Sequence, residues 1–409
     1  MPNSLVPPAG PQRVLALAQL TNSVGDGAFY VTSALYFTHV VGLDPARVGL
    51  GLTLAWGVGS LAGVPLGRLA DRRGPRGTAV LLALATGLAV ASFLVVRGFV
   101  PFVVAACAYA TAQSGLAAAR QALLAGLVSA GERTGLLAHL QATLNAGLAV
   151  GAGLGGLALQ AGTRTAYLGV FALDAASFVV CAGLLLRLPA VAHARVERAE
   201  RLGVLRDRPY AVVTLLNTVL LLRMPLLSLG IPLWITERTD APAWLVAALF
   251  VLNTGAVMAF QVRTARGITG LATATRAVRW SGWVMLAACA VFALSAGVSS
   301  WVAVTVLVIG AALQVVAEMG QSAGSWQLSF DLAPADRVGE YQGFFGTGVT
   351  VARTAGPLVL TTLLVGWGTA GWLLLGAATL AASYAMGPAA RVAAGRMQRD
   401  VRPLPVRVR

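Results

Sequence analysis

Long continuous apolar runs separated by short polar stretches make up most of the chain. A helix that crosses a membrane needs about 20 predominantly apolar residues. Strands of a membrane barrel would instead alternate in segments of about ten. The runs here, such as 78–96, do not alternate. The pattern predicts twelve helices near 13–38, 46–69, 78–96, 99–122, 134–160, 164–187, 209–235, 242–263, 277–296, 300–327, 337–366 and 368–389. Within several of them the polar residues keep helical spacing. Asn22, Asp26, Tyr30 and Ser33 fall on one face of the first span. The expected fold is an all-α membrane protein with twelve transmembrane helices in two pseudo-symmetric six-helix bundles.

Composition narrows the picture. Of 409 residues 57% are hydrophobic and 11% charged, against about 25% charged in soluble domains, and the mean hydropathy is +0.77. A soluble enzyme, a disulfide scaffold and a disordered chain are excluded. The net charge of +15 comes from arginine alone, since the sequence contains no lysine. It does not point to nucleic acid, because it sits between the spans. Only Arg47, Arg97, Arg164 and Arg238 fall in one set of connections; nearly all other arginines fall in the opposite set. The positive-inside rule then places both termini in the cytoplasm. A lysine-free chain rich in Ala, Gly and Arg fits a GC-rich bacterial genome, so a bacterial inner membrane is expected. Cys107, Cys181 and Cys289 lie inside apolar spans and have neither disulfide nor metal-cluster placement. No lysine also means no ATP-binding loop, so energy must come from an ion gradient.

The longest charged connection, 189–208, reads as an amphipathic cytoplasmic linker in which Glu197 and Arg201 have the favourable i,i+4 order. It divides an N-terminal bundle (1–188) from a C-terminal bundle (209–389), which a basic cytoplasmic tail (390–409) follows. Gly131-Glu132-Arg133-Thr134-Gly135 before the fifth span resembles Ala335-Asp336-Arg337-Val338-Gly339 before the eleventh, half a chain away. Such a repeat points to duplication of a six-span unit.

Gly67-Arg68-Leu69-Ala70-Asp71-Arg72-Arg73-Gly74-Pro75-Arg76 lies between the second and third spans. Its glycines suit a tight turn, and Asp71 can accept hydrogen bonds from a helix N-terminus. The segment resembles the signature loop of the major facilitator superfamily, with Pro75 in place of one arginine. The parallel six-plus-six layout is also that superfamily's. By this resemblance Gly67, Asp71, Arg72, Gly74 and Arg76 would form a conformational latch. Arg120 is expected either to join it in a charge network with Asp71 or Glu132, or to play a plain positive-inside role. The fifth span carries Gly147, Gly151, Gly155 and Gly156, similar to the antiporter motif of drug/proton exporters, with Ala152 in place of its proline. Read from the residues alone, Gly147, Gly151 and Gly155 are a small-residue face for close helix packing; the face could also serve as a sliding interface between bundles. Gly151-x-Gly153-x-x-Gly156 and Gly320-x-Ser322-x-Gly324 match soluble-enzyme motifs formally, but both sit inside helices.

Charges at bilayer depth cost at least about 2.5–3.5 kcal/mol and mark functional candidates. Asp26 and Glu318 are the expected proton carriers, and Asp174 is a third candidate more consistent with a structural bond. Tyr109, Gln113, Asn217, Gln314 and the mid-span Arg223 and Arg353 complete the expected cavity lining with Asn22 and Tyr30. The two arginines would serve as counter-ions to the acids or hold an anionic substrate. Phe29, Met224 and Trp234 could add apolar contacts, although for each of them plain packing is the favoured role. The resemblance implies a transporter working by alternating access rather than an enzyme, needing no cofactor or metal. Its partners would be the lipid bilayer, protons and an amphiphilic small molecule, and it would act as a monomer. Proton-coupled export is the favoured direction; a proton symporter importing a nutrient is the alternative, and a receptor or lipid flippase is a more distant one.

Overall fold

The computed structural model describes residues 10–191, 203–242 and 244–400. Most of the expected linker, with Glu197 and Arg201, and the tail beyond 400 lie outside the described residues.

The described residues are almost entirely helical. The helices are α1 (Pro11–Leu35), α2 (Pro45–Arg73), α3 (Pro75–Ser92), α4 (Phe99–Leu127), α5 (Ala130–Ala161), α6 (Arg164–Leu186), α7 (Arg208–Leu221), α8 (Ile231–Arg238), α9 (Trp244–Ala265), α10 (Leu271–Ala293), α11 (Ser300–Asp331), α12 (Val338–Leu360) and α13 (Thr369–Asp400). The seventh expected span is realised as α7 and α8, interrupted by a π turn over Leu226–Gly230. Pro225 and Pro232 flank the break, where each removes a backbone donor. Sharp boundaries have local causes. Gly74 takes φ +96°, a conformation that favours glycine, and Pro75 then starts α3. The Thr163 side chain accepts the Ala166 N–H at the start of α6, and Asp207 accepts that of Tyr210 at the start of α7.

Among the described residues, ten helical segments are long and apolar enough to cross a membrane, with 208–238 taken as one. α1 and α10 are not among them. The reason is local polarity: α1 carries Gln19, Thr21, Asn22, Ser23 and Asp26, and α10 carries Arg276 and Arg279 near its start.

The chain divides into two compact units. Unit 1 comprises Met1–Leu202, Thr254–Arg266 and Asp336–Thr350; unit 2 comprises Gly203–Asn253, Gly267–Ala335 and Val351–Arg409. In unit 1, α1 lies against α5 and α6, α3 lies against α4 and α6, and α2 lies against α4. In unit 2, α10 lies against α11 and α13, and α13 against α7. Three neighbour relations thus recur when each helix of the first half is matched to its counterpart in the second.

Each unit has an aromatic core at the corresponding end of its helices. In unit 1, Phe37 packs on Phe102 (ring centroids 4.5 Å) and Tyr36 on Phe171 (4.8 Å). In unit 2, Trp372 stacks on Phe292 at 4.8 Å and meets Trp234 edge-on at 5.7 Å. Trp234 is fully buried and its indole N–H donates to the Ser295 hydroxyl at 2.8 Å. Of its two expected roles, Trp234 therefore takes the packing one. Phe29 is likewise buried, between Phe93, Tyr109 and Phe171.

Candidate functional site

Deeper along the helices, away from the aromatic ends, each unit holds a polar cluster that includes an acidic residue. In unit 1 the helical spacing of α1 puts Asn22 one turn before Asp26. Asn22 Nδ2 donates to Asp26 Oδ2 at 3.0 Å. From α4 the Tyr109 hydroxyl reaches Asp26 Oδ1 at 3.5 Å, and Gln113 Nε2 donates to that hydroxyl at 3.3 Å. Asn22, Asp26 and Tyr109 are buried, whereas Tyr30 is 47% exposed. Asp174 of α6 is completely buried in the same unit. The Ser177 hydroxyl donates to its backbone carbonyl at 2.7 Å and lies 3.4 Å from Oδ1, while Oδ2 has no hydrogen-bond partner. Gly25 faces Asp174 and Ser177 with no room for a side chain.

Unit 2 is organised around a cation. Arg223, next to the break between α7 and α8, is 6% exposed. Its Nη1 lies 3.2 Å from Glu318 Oε1, and its Nη2 donates to Gln321 Oε1 at 2.6 Å and to Ser322 Oγ at 3.2 Å. Gln321 passes the network on, donating to Asn217 at 3.1 Å and to Ser325 at 2.9 Å. Asn253 donates to the second oxygen of Glu318 at 3.2 Å. The expected counter-ion relation is thus found between Arg223 and Glu318, whose side chain keeps 29% exposure. Arg353 does not share it: it is exposed and makes no ion pair or hydrogen bond among the described residues. Gln314 is buried with its Oε1 unpartnered, while Met224, beside Arg223, is 37% exposed.

The loop residues find a partner within unit 1. Asp71 Oδ1 accepts the Gly339 N–H at 2.7 Å and Oδ2 the Glu340 N–H at 2.8 Å. A carboxylate placed this way caps the N-terminus of α12 and meets its positive dipole end. Just before Asp71, Gly67 faces the Gly339 carbonyl and Gly63 faces Gly343. A methyl group at any of these four positions would crowd or collide with the opposite backbone, so the crossing depends on glycine. Arg72 is exposed and Arg76 partly buried. Arg120 does not join this site; its Nη2 donates to Gln19 Oε1 at 2.7 Å instead of pairing with Asp71 or Glu132. In α5, Gly147, Gly151 and Gly155 pack on α1 of the same unit, against Ser23, Val24 and Ala28, whereas Gly156 faces open space. Gln19, Asn253, Gly339 and Gly343 were missed in the sequence. The Gly339–Gly343 spacing was a readable signal, and Gln19 continues the polar face of Asn22 and Asp26 one turn earlier; Asn253 offered none.

Both enzyme-like glycine motifs lie within helices, in α5 and α11, and Ser322 serves as an acceptor for Arg223. No group of three His, Cys, Asp or Glu residues suited to a metal occurs among the described residues.

Comparison with known proteins bears on this arrangement. The model of the Major Facilitator Superfamily matches residues 15–357. Among solved structures, a bacterial homologue of the iron transporter ferroportin in its outward-facing state superposes with TM-score 0.71 at 16% identity, covering 94% of this chain and 99% of that one. The human organic anion transporter MFSD10 (TETRAN) gives 0.68 at 17% identity over 92% and 100%. A variant of the E. coli fucose:proton symporter FucP gives 0.68 at 11% identity over 93% and 98%. No curated protein sequence matches significantly. At these identities the structures share the fold. The family match covers most of the chain, and the chain belongs to the major facilitator superfamily, as a multi-pass membrane transporter.

Proposed function

We propose that this transporter couples proton movement to the export of an amphiphilic small molecule by alternating access. The observation that carries the reading is a buried ionisable cluster in each unit, one around Asp26 and one around Arg223–Glu318. Burying charge is costly unless it is paired, and such charge inside a membrane helix is retained where it is used. Protonation of Glu318 would break its pair with Arg223 and free a guanidinium. Protonation of Asp26 would remove the charge that the Asn22 amide and the Tyr109 hydroxyl face. Both acids can therefore exist in two states with different neighbours, which a coupling group requires. Beside the charges stand half-exposed Tyr30 and Met224, which suit the apolar part of an amphiphile.

The twelve-span count rests on adding α1 and α10 to the ten apolar helices. The recurring neighbour relations support two six-helix bundles from a duplicated unit. Arginine placement supports cytoplasmic termini in a bacterial inner membrane, with the Asp71 loop on the cytoplasmic side, and the chain is taken as a monomer. On this reading Asp71, Gly63 and Gly67 hold α12 in the closed cytoplasmic state, and release of the α12 N-terminus accompanies the switch. One observation favours the importer alternative: Ala152 stands where the exporter-like motif has proline.

The test is proton efflux from acidified everted vesicles on addition of single compounds. Compound-dependent efflux that Asp26→Asn or Glu318→Gln removes supports antiport. Compound uptake into right-side-out vesicles driven by an inward proton gradient would favour the symporter instead.

A further inference from the structure

In unit 2, α10 and α13 border a cleft of about 460 Å³ lined by Thr275, Arg276, Arg279, Tyr384, Pro388 and Arg391 among others. All three arginines are exposed. None makes an ion pair or hydrogen bond with a described residue; Arg279 instead lies over the Tyr384 ring, 5.8 Å from its centre. α10 contains no acidic residue, and α13 contains only Asp400 at its far end. The cleft is thus a concentration of uncompensated positive charge.

Its second component is aromatic. Trp283 Nε1 donates to the Tyr384 hydroxyl at 3.0 Å, with the rings edge to face. Trp280, Trp283 and Tyr384 are 51%, 52% and 47% exposed. Along α10 the order is Arg276, Arg279, Trp280, Trp283, then an apolar run to Ala293. At 1.5 Å per residue, Arg276 and Trp283 are about 10 Å apart along the axis. That sequence of cation, then indole, then hydrocarbon is the order of headgroup, interface and acyl chain in a bilayer leaflet. It also explains why α10 is not among the ten apolar spans: its first turns are built for the headgroup layer. A free phosphate would use the guanidinium forks but leave the exposed rings uncovered.

We propose that this cleft binds an anionic phospholipid, with its phosphodiester between Arg276, Arg279 and Arg391 and its glycerol and upper acyl chains against Trp283 and Tyr384. Guanidinium groups hydrogen-bond phosphate oxygens in pairs, and Trp and Tyr prefer the membrane interface. The proposal rests on the membrane setting of the family, not on the transported substrate or its coupling, so its failure would leave the transport reading untouched.

The test uses the full chain in neutral detergent, with native mass spectrometry during titration of phosphatidylglycerol or phosphatidylcholine. Phosphatidylglycerol should be retained at a concentration at least about tenfold lower than phosphatidylcholine. Combined Arg276→Gln, Arg279→Gln and Arg391→Gln should remove at least about tenfold of that preference. The control triple Arg73→Gln, Arg263→Gln and Arg266→Gln removes the same charge and should shift retention less than about twofold. Should the cleft triple fail to fold, Arg391→Gln alone, at an exposed position, should cost about fivefold. Equal retention of the two lipids, or equal loss in the control triple, would overturn the proposal. Displacement of phosphatidylglycerol by an equal concentration of inorganic phosphate would also overturn it, by showing a simple anion site.

Discussion

Asp26 and Glu318 are both acids on polar helix faces, yet the two units hold them differently. Asp26 receives neutral donors, Asn22 and the Tyr109 hydroxyl. Glu318 faces a guanidinium, and Arg223 is in turn tied to Gln321 and Ser322. Removing an acid from neutral donors leaves dipoles unsatisfied; removing one from a buried arginine leaves a charge. The first site can change protonation with local rearrangement only, while the second links protonation to the α7–α11 connection. On the proposed reading, unit 2 is the one in which protonation would alter contacts between helices.

That difference can be broken by mutation. The largest stability loss is expected for Glu318→Leu, which strands Arg223 at 6% exposure. It should cost about 3 kcal/mol, the lower end for a broken buried pair because Glu318 is partly exposed. Adding Arg223→Met should restore most of the loss, read as thermal unfolding in detergent. Asp26→Leu should cost less, about 1–2 kcal/mol, the penalty of leaving Asn22 and Tyr109 without their acceptor. Asp71→Ala should cost about 1 kcal/mol as a lost helix cap, with a larger effect on transport rate than on unfolding. A smaller change is expected for Asp174→Asn, which exchanges one unpartnered buried polar atom for another. It removes a carboxyl whose Oδ2 has no partner and keeps an oxygen for Ser177. Gly156→Ala should be silent, because nothing lies near the added methyl, whereas Gly151→Ala should have a large effect by pushing α5 off α1.

Much of this was legible in the sequence because helical periodicity is local. Asn22 and Asp26 are four residues apart on one helix, so spacing alone brings them together. The capping role of Asp71 followed from its chemistry, although the N-terminus it caps is far away in the chain. Partner choice across helices was less legible. Arg223 and Arg353 look alike as mid-span arginines, and only packing shows that one meets Glu318 and the other is exposed. Arg120 invited an acidic partner by charge and found the Gln19 amide, because α1 presents that residue at its level. Sequence leaves Trp234 open between cavity and packing; the break at Pro225 and Pro232 turns it into the core with Trp372. Helix rotation, set by tertiary contacts, decides these cases.

The most direct measurement is proton coupling in everted vesicles for wild type, Asp26→Asn and Glu318→Gln, with protein amounts matched. The account predicts compound-driven proton efflux in wild type and its loss in both variants. In Glu318→Gln, binding of the same compound should persist, because Asn253, Gln321 and Arg223 remain to form the site. Unaltered coupled efflux in both variants would contradict the central claim that these two acids carry the proton.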